Sequence, residues 1–520
     1  MIAISELHNL IRSLNKPEKR FFKLLSATEN FSTTSAITLF DHLERISEKD
    51  DVYYKTDKTP GINATPENMV VLYNLILKSQ RNFYSETITG FTLNDELANL
   101  KILFEKAQYK QCRKMIKTVK EKALRNEKFS YVLEILELEK QLLHTEFPGP
   151  DYTELSADLK IQKRRIIEKE KNIAHYYRLY AQLSFKGKNQ NLNEKKSHAV
   201  FYTKFLSDQL LKTPESALCR RARFLQMKCQ ALCYSALKDY KKQLEALIEI
   251  KSFMQEDALI LVEMPRQYLD VLNTLAQVCM NNGRYSDSRK LISEIAGIIN
   301  AKKIIGADLY IKANSYVFNL ELTLLVRTGK FAEASQLAQT IFEFTNEHHN
   351  IFNQEDKSVL FFNLTNFYIY NEDYSAAATV LANSKSGSDK NSHWDLKAYL
   401  RIQEMITYYE LKEYPKFILA ANSANQLVKE KFFSTPTESA FVQFFNETIA
   451  SSMPLFTPEN FDTLYARLKS YSSNADDKLI NLNYFNFISY AAHKAGHGKL
   501  HETLANHLDI TESALHKTPQ

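Results

Sequence analysis

Three histidines near the end of the chain, His493, His497 and His501, are spaced by four. On an unbroken helix that interval would stack the imidazoles on one face, as metal ligands require. Gly496 and Gly498 fall between them, and Gly commonly closes a helix. The expectation is a corner that turns the three rings apart, with no metal bound. Cys229 and Cys233 share the spacing of four, but the five cysteines contain no C-x-x-C pair. They read as a buried structural pair, and the odd count suits a reducing compartment. His348 with His349 reads as a polar loop feature. There is no G-x-x-x-x-G-K, no G-x-S-x-G and no H-E-x-x-H, and acidic neighbours such as Asp476 and Asp477 match a solvated loop. No catalytic residue, metal ligand or cofactor is therefore expected, and the chain reads as a non-enzyme.

A nucleic-acid function has one local candidate. In "HETLANHLDITESALHK", residues 501 to 517, Ala505, Leu508, Ile510 and Leu515 fit the apolar skeleton of a helix-turn-helix, whose second helix would enter the major groove. Asp509 replaces the usual turn Gly, and Pro519 would cut the recognition helix short. The same residues fit a final repeat in register, so a capping repeat is favoured. Charge gives no further support: 67 Lys plus Arg against 61 Asp plus Glu leave a net +6, with the signs interspersed. That pattern favours solubility over nucleic-acid contact. The one dense basic run, "KIQKRRIIEKEKN" at 160 to 172, is interrupted by glutamates and reads as an exposed helix face.

The elements that hold these residues are expected to be helices. A chain of 520 residues exceeds what one core usually fills, so it requires several domains or a repeating architecture. Eleven Gly and 12 Pro are few for that length and argue against turn-dense β folds, while 44% hydrophobic and 12% aromatic residues supply a core. The opening residues have no signal-peptide pattern, and no apolar run approaches the roughly 18 residues of a spanning helix. A soluble, cytoplasmic protein without a membrane partner is expected.

A corner recurs along the chain: a polar or Gly residue, one variable residue, an aromatic, then helix formers. It appears in "LKDYKKQLEAL", "NGRYSDSRKL", "TGKFAEASQL", "NEDYSAAATV" and "LKEYPKFILA", with Tyr240, Tyr285, Phe331, Tyr374 and Tyr414. "PENFDTLYARL" with Phe461 and "HGKLHETLANHL" with Leu500 continue the series, at spacings of 39 to 47 residues. "KAQYKQCRKMI" with Tyr109 and "NEKFSYVLEIL" with Phe129 resemble it closer to the start. Such a spacing holds two helices and two short connections. Gly283 and Gly329 stand where a first helix must end in the left-handed conformation. Three residues after the aromatic come the small Ser288, Ala334, Ala377 and Thr503, with Gln243, Phe417 and Leu464 as exceptions. Nine before it come Ala231, Ala276, Thr365, Ser452 and Ala491, with Leu322 and Met405 as exceptions.

"LDVLNTLAQVCMNNGRYSDSRKLISEI" at 269 to 295 resembles a tetratricopeptide repeat in Leu275 and Ala276, in the Gly283 and Tyr285 corner, and in Ser288. Residues 316 to 343 and 359 to 381 resemble it more weakly. The family's period is about 34, so these units are elongated and irregular, and its closing proline is mostly missing. The resemblance implies an all-α, right-handed superhelical solenoid with the first helix of each hairpin lining a concave face. It places groove positions twelve, eight and four residues before each corner aromatic. These are Asn273, Gln277 and Asn281, then Asn319, Thr323 and Arg327, then Phe362, Asn366 and Tyr370. Carboxamides there can hydrogen-bond a peptide backbone, Arg327 can pair a carboxylate, and the aromatics give apolar contact. The alternative is that the Asn side chains satisfy inter-repeat backbone groups.

Three regions follow: a helical N-terminal region at 1–95, degenerate helical repeats at 96–215, and a repeat array with a C-terminal capping repeat at 216–520. "LNKPEKRFFKLL" carries an N-cap at Asn15, Pro17 in the first turn and Glu18 three after the cap, which starts a helix. "SLNKPEKRFFKLL", "LFDHL" and "LYNLILKSQRNFY" resemble an uncharacterised bacterial family of tetratricopeptide-like proteins, a likeness that implies no activity. The expected function is a scaffold that binds a protein or peptide on the concave face. The alternative is a transcriptional regulator, with a DNA-binding element at 1–95 or 480–520 and the repeats as sensor.

Overall fold

A computed structural model describes residues 2–28, 34–46, 64–85, 88–145, 151–188, 195–300, 306–348, 352, 354–385, 394–430, 433, 435–450, 456–471, 481 and 483–507. Among them every regular element is helical, and no helix is long and apolar enough to cross a membrane. The chain divides into two compact units, residues 1–179 with 213–226, and residues 180–212 with 227–520.

In the first unit, α1 (Ile4–Ser13), α2 (Lys16–Thr28), α3 (Thr34–Arg45) and α4 (Pro66–Tyr84) enclose a small core of Leu7, Ile11, Phe22, Leu39, Phe40 and Leu72. The capping box forms reciprocally: Asn15 N donates to Glu18 Oε2 at 2.7 Å, and Glu18 N donates to Asn15 Oδ1 at 2.9 Å. Next come α5 (Thr89–Glu105), α6 (Tyr109–Arg125), α7 (Phe129–Thr145) and α8 (Tyr152–Lys188). The basic run lies on α8, where Lys160, Lys163, Arg164 and Arg165 are exposed. Two of these cations pair with Glu137 and Glu168, so the run is a solvated face. After α9 (Lys195–Ser207) and α10 (Gln209–Lys212) of the second unit, a 3₁₀ turn at Pro214–Ser216 leads into α11 (Arg220–Ala236).

The second unit continues with α12 (Tyr240–Glu256), α13 (Ala258–Glu263), α14 (Pro265–Asn281), α15 (Tyr285–Asn300), α16 (Ala307–Arg327) and α17 (Phe331–Glu347). It ends with α18 (Gln354–Tyr370), α19 (Tyr374–Lys385), α20 (Trp394–Glu410), α21 (Tyr414–Lys429), α22 (Pro436–Ala450), α23 (Pro458–Tyr471), α24 (Phe487–Lys494) and α25 (Leu500–His507). Each helix from α14 to α23 packs on its successor, and α14, α16, α18 and α20 also pack on one another in order. That arrangement is compatible with stacked helical repeats. The last helix departs from nearest-neighbour order, because α25 returns to pack on α18.

The corner residue, aromatic in eight of the nine copies and Leu500 in the last, opens a helix in eight of them; only Phe461 lies inside one, since α23 starts at Pro458. Two residues before each of the eight, the backbone has positive φ, at Ala107, Glu127, Lys238, Gly283, Gly329, Glu372, Lys412 and Gly498. In seven of them that residue closes the preceding helix with paired bonds, as where Arg284 N donates to Cys279 O and Gly283 N to Met280 O. This is the Schellman arrangement. At the eighth corner Gly496 and His497 form it instead, donating to His493 O and Ala492 O. Only the copies at Gly283, Gly329, Gly496 and Gly498 use glycine. Three residues beyond the aromatic, Ser288, Ala334, Ala377 and Thr503 are buried, and so are the larger Gln243, Phe417 and Leu464. Nine before it, Ala231, Ala276, Thr365 and Ala491 are buried with Leu322 and Met405, while Ser452 lies outside the described residues. The position is thus defined by burial, and residue size varies with the neighbour.

Candidate functional site

Residues four and eight apart on a helix share a face, so α14, α16 and α18 each carry one column of the nine expected groove residues. On α14, Gln277 is exposed and Asn273 half-buried, with its Oδ1 buried and without a hydrogen-bond partner among the described residues. Asn281 Oδ1 accepts from Arg327 Nη1 at 3.0 Å. On α16, the Thr323 hydroxyl donates to Asn319 O at 2.7 Å, and Asn319 Oδ1 accepts from Asn363 Nδ2 at 2.8 Å. The carboxamides therefore link neighbouring first helices chiefly through side chains.

Four of the nine, Thr323, Arg327, Asn366 and Tyr370, line one solvent-open cleft of about 510 Å³, counting the solvent at its mouth. Asn363, Asn481, Asn483 and Tyr484 complete its polar wall. Asn273 and Gln277 do not line it, and continue the polar column farther along α14.

The far wall is the chain's own turn leading into α24. Asn366 Nδ2 donates to Tyr484 O at 2.6 Å, and Asn486 N donates to the Tyr370 hydroxyl at 2.8 Å. Arg327 Nη2 reaches Asn483 Oδ1 at 3.3 Å. The Tyr484 ring stacks on Tyr399 with centroids 4.1 Å apart, and Phe485 stacks on Tyr370 at 5.2 Å. Phe362 meets Tyr484 and Tyr399 edge-on. Behind this layer, Gln403 Nε2 donates to Asn366 Oδ1 at 2.7 Å and to Phe362 O at 3.0 Å, which orients the Asn366 amide toward the turn.

Electrostatically the cleft is a cation set among amides. Arg327 is only 5% exposed, and burial pulls its pKa below the usual guanidinium range, opposed by the hydroxyls of Tyr285 and Tyr370. Burial raises the Tyr370 phenol, so it stays neutral and serves as the acceptor for Asn486 N–H. Among the described residues, the lining includes no carboxylate, histidine or cysteine. This arrangement can hydrogen-bond a main chain, stack on aromatic rings and attract an anion, and it supplies no nucleophile with a base.

The other constellations are dispersed. His493 Nδ1 lies 2.9 Å from Gly498 O, His497 Nε2 lies 2.8 Å from Asp462 Oδ1, and the His501 ring packs on Phe331. His348 packs on Phe344, and His349 lies outside the described residues. Among the described residues no group of three His, Cys, Asp or Glu could hold a metal. Cys229 and Cys233 are buried, and burial pushes both thiols up to about 12. The second helix of the helix-turn-helix pattern falls on 508–520, and Asp476 with Asp477 on 472–480, all outside the described residues.

Repeat spacing did not point to Asn363, Asn481, Asn483 or Tyr484. Asn363 sits one residue off the four-residue column, and the other three lie in the link before α24, where no corner motif marks them. The dense run "NYFNF" at 483 to 487 is their only local signal.

The chain matches no protein-family model, no curated protein and no solved structure at a significant level.

Proposed function

We propose that this chain is a non-enzymatic scaffold, built of elongated tetratricopeptide-like hairpins, that binds a protein or peptide on a concave face formed by the first helices α14, α16 and α18. One observation supports it above the others: Thr323, Arg327, Asn366 and Tyr370, drawn from two successive first helices, converge on a single solvent-open cleft. Their chemistry suits a polypeptide main chain, since carboxamides supply both donors and acceptors, and the buried guanidinium adds a charge-assisted donor. Gln277 and Asn273 extend the surface along α14.

Affinity capture from a cell lysate tests this. A specific partner should be retained by the wild-type protein and released by Gln277→Ala with Thr323→Ala, two substitutions at positions that are not buried. Capture unaffected by both would refute the surface. Binding to random duplex DNA that weakens steeply as salt rises would replace the scaffold with a nucleic-acid reader.

A further inference from the structure

The turn seated against the cleft contacts the helices as a bound peptide would. Its Tyr484 carbonyl accepts from a side-chain amide, its Asn486 N–H donates to a phenol, two consecutive rings stack on aromatics of the groove, and a side-chain amide meets Arg327. These partners stand 116, 118 and 156 residues away in sequence, so nothing local to the turn dictates them. From this we infer that the cleft is a receptor for a partner segment bearing two adjacent aromatic residues in a turn, and that Asn483–Asn486 is its built-in competitor. The inference rests on the scaffold function above and names the chemistry of its ligand.

Three features separate this arrangement from an ordinary piece of core. Asn483 is exposed and Tyr484 only half-buried, so the turn is accessible at one side, where the open cleft gives an incoming chain a place to begin exchange. The floor is polar where an apolar floor would seat two aromatic rings as well: Arg327 and Asn366 line it and are buried, with the buried Gln403 behind them. Burying such groups is costly without specific partners. Behind Asn366, Gln403 Oε1 on α20 and Thr407 Oγ1 one turn farther on are buried and have no hydrogen-bond partner among the described residues, a capacity that the turn does not use.

A tethered competitor acts at high effective concentration, and the apparent affinity for an external ligand falls by the fraction of molecules whose cleft is free. Weakening the turn must therefore strengthen binding of a peptide in trans, whereas weakening the groove must diminish it. A merely structural contact offers no such opposition of sign.

The probe is a fluorescent peptide with the sequence of residues 481 to 490, Asn-Leu-Asn-Tyr-Phe-Asn-Phe-Ile-Ser-Tyr, titrated into the full-length protein and read by anisotropy. Tyr484→Ala with Phe485→Ala in the protein should tighten binding about tenfold or more over wild type. Adding Asn366→Ala to that variant should reverse the gain about tenfold, and a peptide with both aromatics replaced by alanine should not bind. Equal affinity of wild type and turn variant, or indifference to Asn366→Ala, overturns the inference. If the turn variant does not fold, hydrogen exchange of the wild-type protein decides. Amides of 484–486 should open faster than those of α24 at Ser489 and Tyr490, and identical rates would make the turn an inseparable part of the core. Lysate capture lost on Gln277→Ala while the peptide experiment fails would leave the scaffold standing and remove only this inference.

Discussion

The rings of Tyr370 and Phe485 stack with centroids 5.2 Å apart and planes 8° from parallel, and the hydroxyl of the same tyrosine accepts the Asn486 N–H at 2.8 Å. One side chain on α18 thus holds both a ring and a main-chain donor of the turn.

Tyr370→Phe keeps the stack and removes the acceptor. Asn486 is buried, so its N–H would be left unpaired, at a cost of about 1–3 kcal/mol. Amide exchange at Asn486 should accelerate, with α1–α4 unaffected. Unchanged protection of Asn486 would show that the hydroxyl does not hold the turn.

Arg327 and Asn281 should be energetically coupled. Asn281→Ala deprives a buried guanidinium of an acceptor, and Arg327→Met strands the Asn281 carboxamide, each costing about 1–3 kcal/mol. Once one partner is gone the other has less to lose. A double-mutant cycle by denaturant unfolding should give a coupling of about 0.5–3 kcal/mol, and strict additivity would dismiss the bond.

The corners predict substitutions of opposite sign. At Gly283, φ is +72° and an added Cβ would meet no atom within 4 Å, so Gly283→Ala should cost about 1 kcal/mol from backbone conformation alone. Lys412 holds φ of 60° with a side chain in place. Lys412→Gly should therefore stabilise, by about 0.5–1 kcal/mol after Gly's larger loss of chain entropy. Calorimetric melting of both variants checks this, and a stabilising Gly283→Ala would contradict it.

Alkali should unfold the second unit. Burial raises the phenols of Tyr316, Tyr370, Tyr374, Tyr409 and Tyr490 above the ordinary value of 10.0. A group with a raised folded-state pKa contributes stability that is intact below the unfolded pKa and lost as pH rises past it. Stability should hold up to about pH 10 and then fall, with buried tyrosinate absorbance appearing together with loss of helical circular dichroism. Complete tyrosinate formation in a protein that keeps its helices would refute this.

The hairpins were legible in the sequence because each corner is a local event. The aromatic, the helix formers after it and the left-handed residue before it lie within one turn of chain, and eight helices begin where that pattern places them. Burial three residues past the aromatic was legible too, although its explanation by small size was not, since Phe417 and Leu464 occupy the same position. Of the cleft, only the α16 and α18 sides followed from spacing. The turn side did not, because Tyr484 and Phe485 meet their partners through long-range packing of α24 and α25, which no periodicity encodes. A lone glycine is conversely a weak stop signal: α8 runs through Gly187 to Lys188, since an isolated Gly lowers helix stability by only about 1 kcal/mol against Ala.

The return of α25 onto α18 also affects folding order. In a stack bound only to its neighbours, hairpins can open one at a time from either end. Here Leu500 N donates to Glu372 Oε1 across 128 residues, and His501 packs on Phe331. Closing so long a loop delays that contact until the intervening hairpins have formed, because chain entropy must be overcome first. Once made, it ties the fraying end of the array to its middle. Residues 331 to 507 should then melt as one cooperative block, and loss of the final hairpin should be felt on α18 as directly as at the terminus.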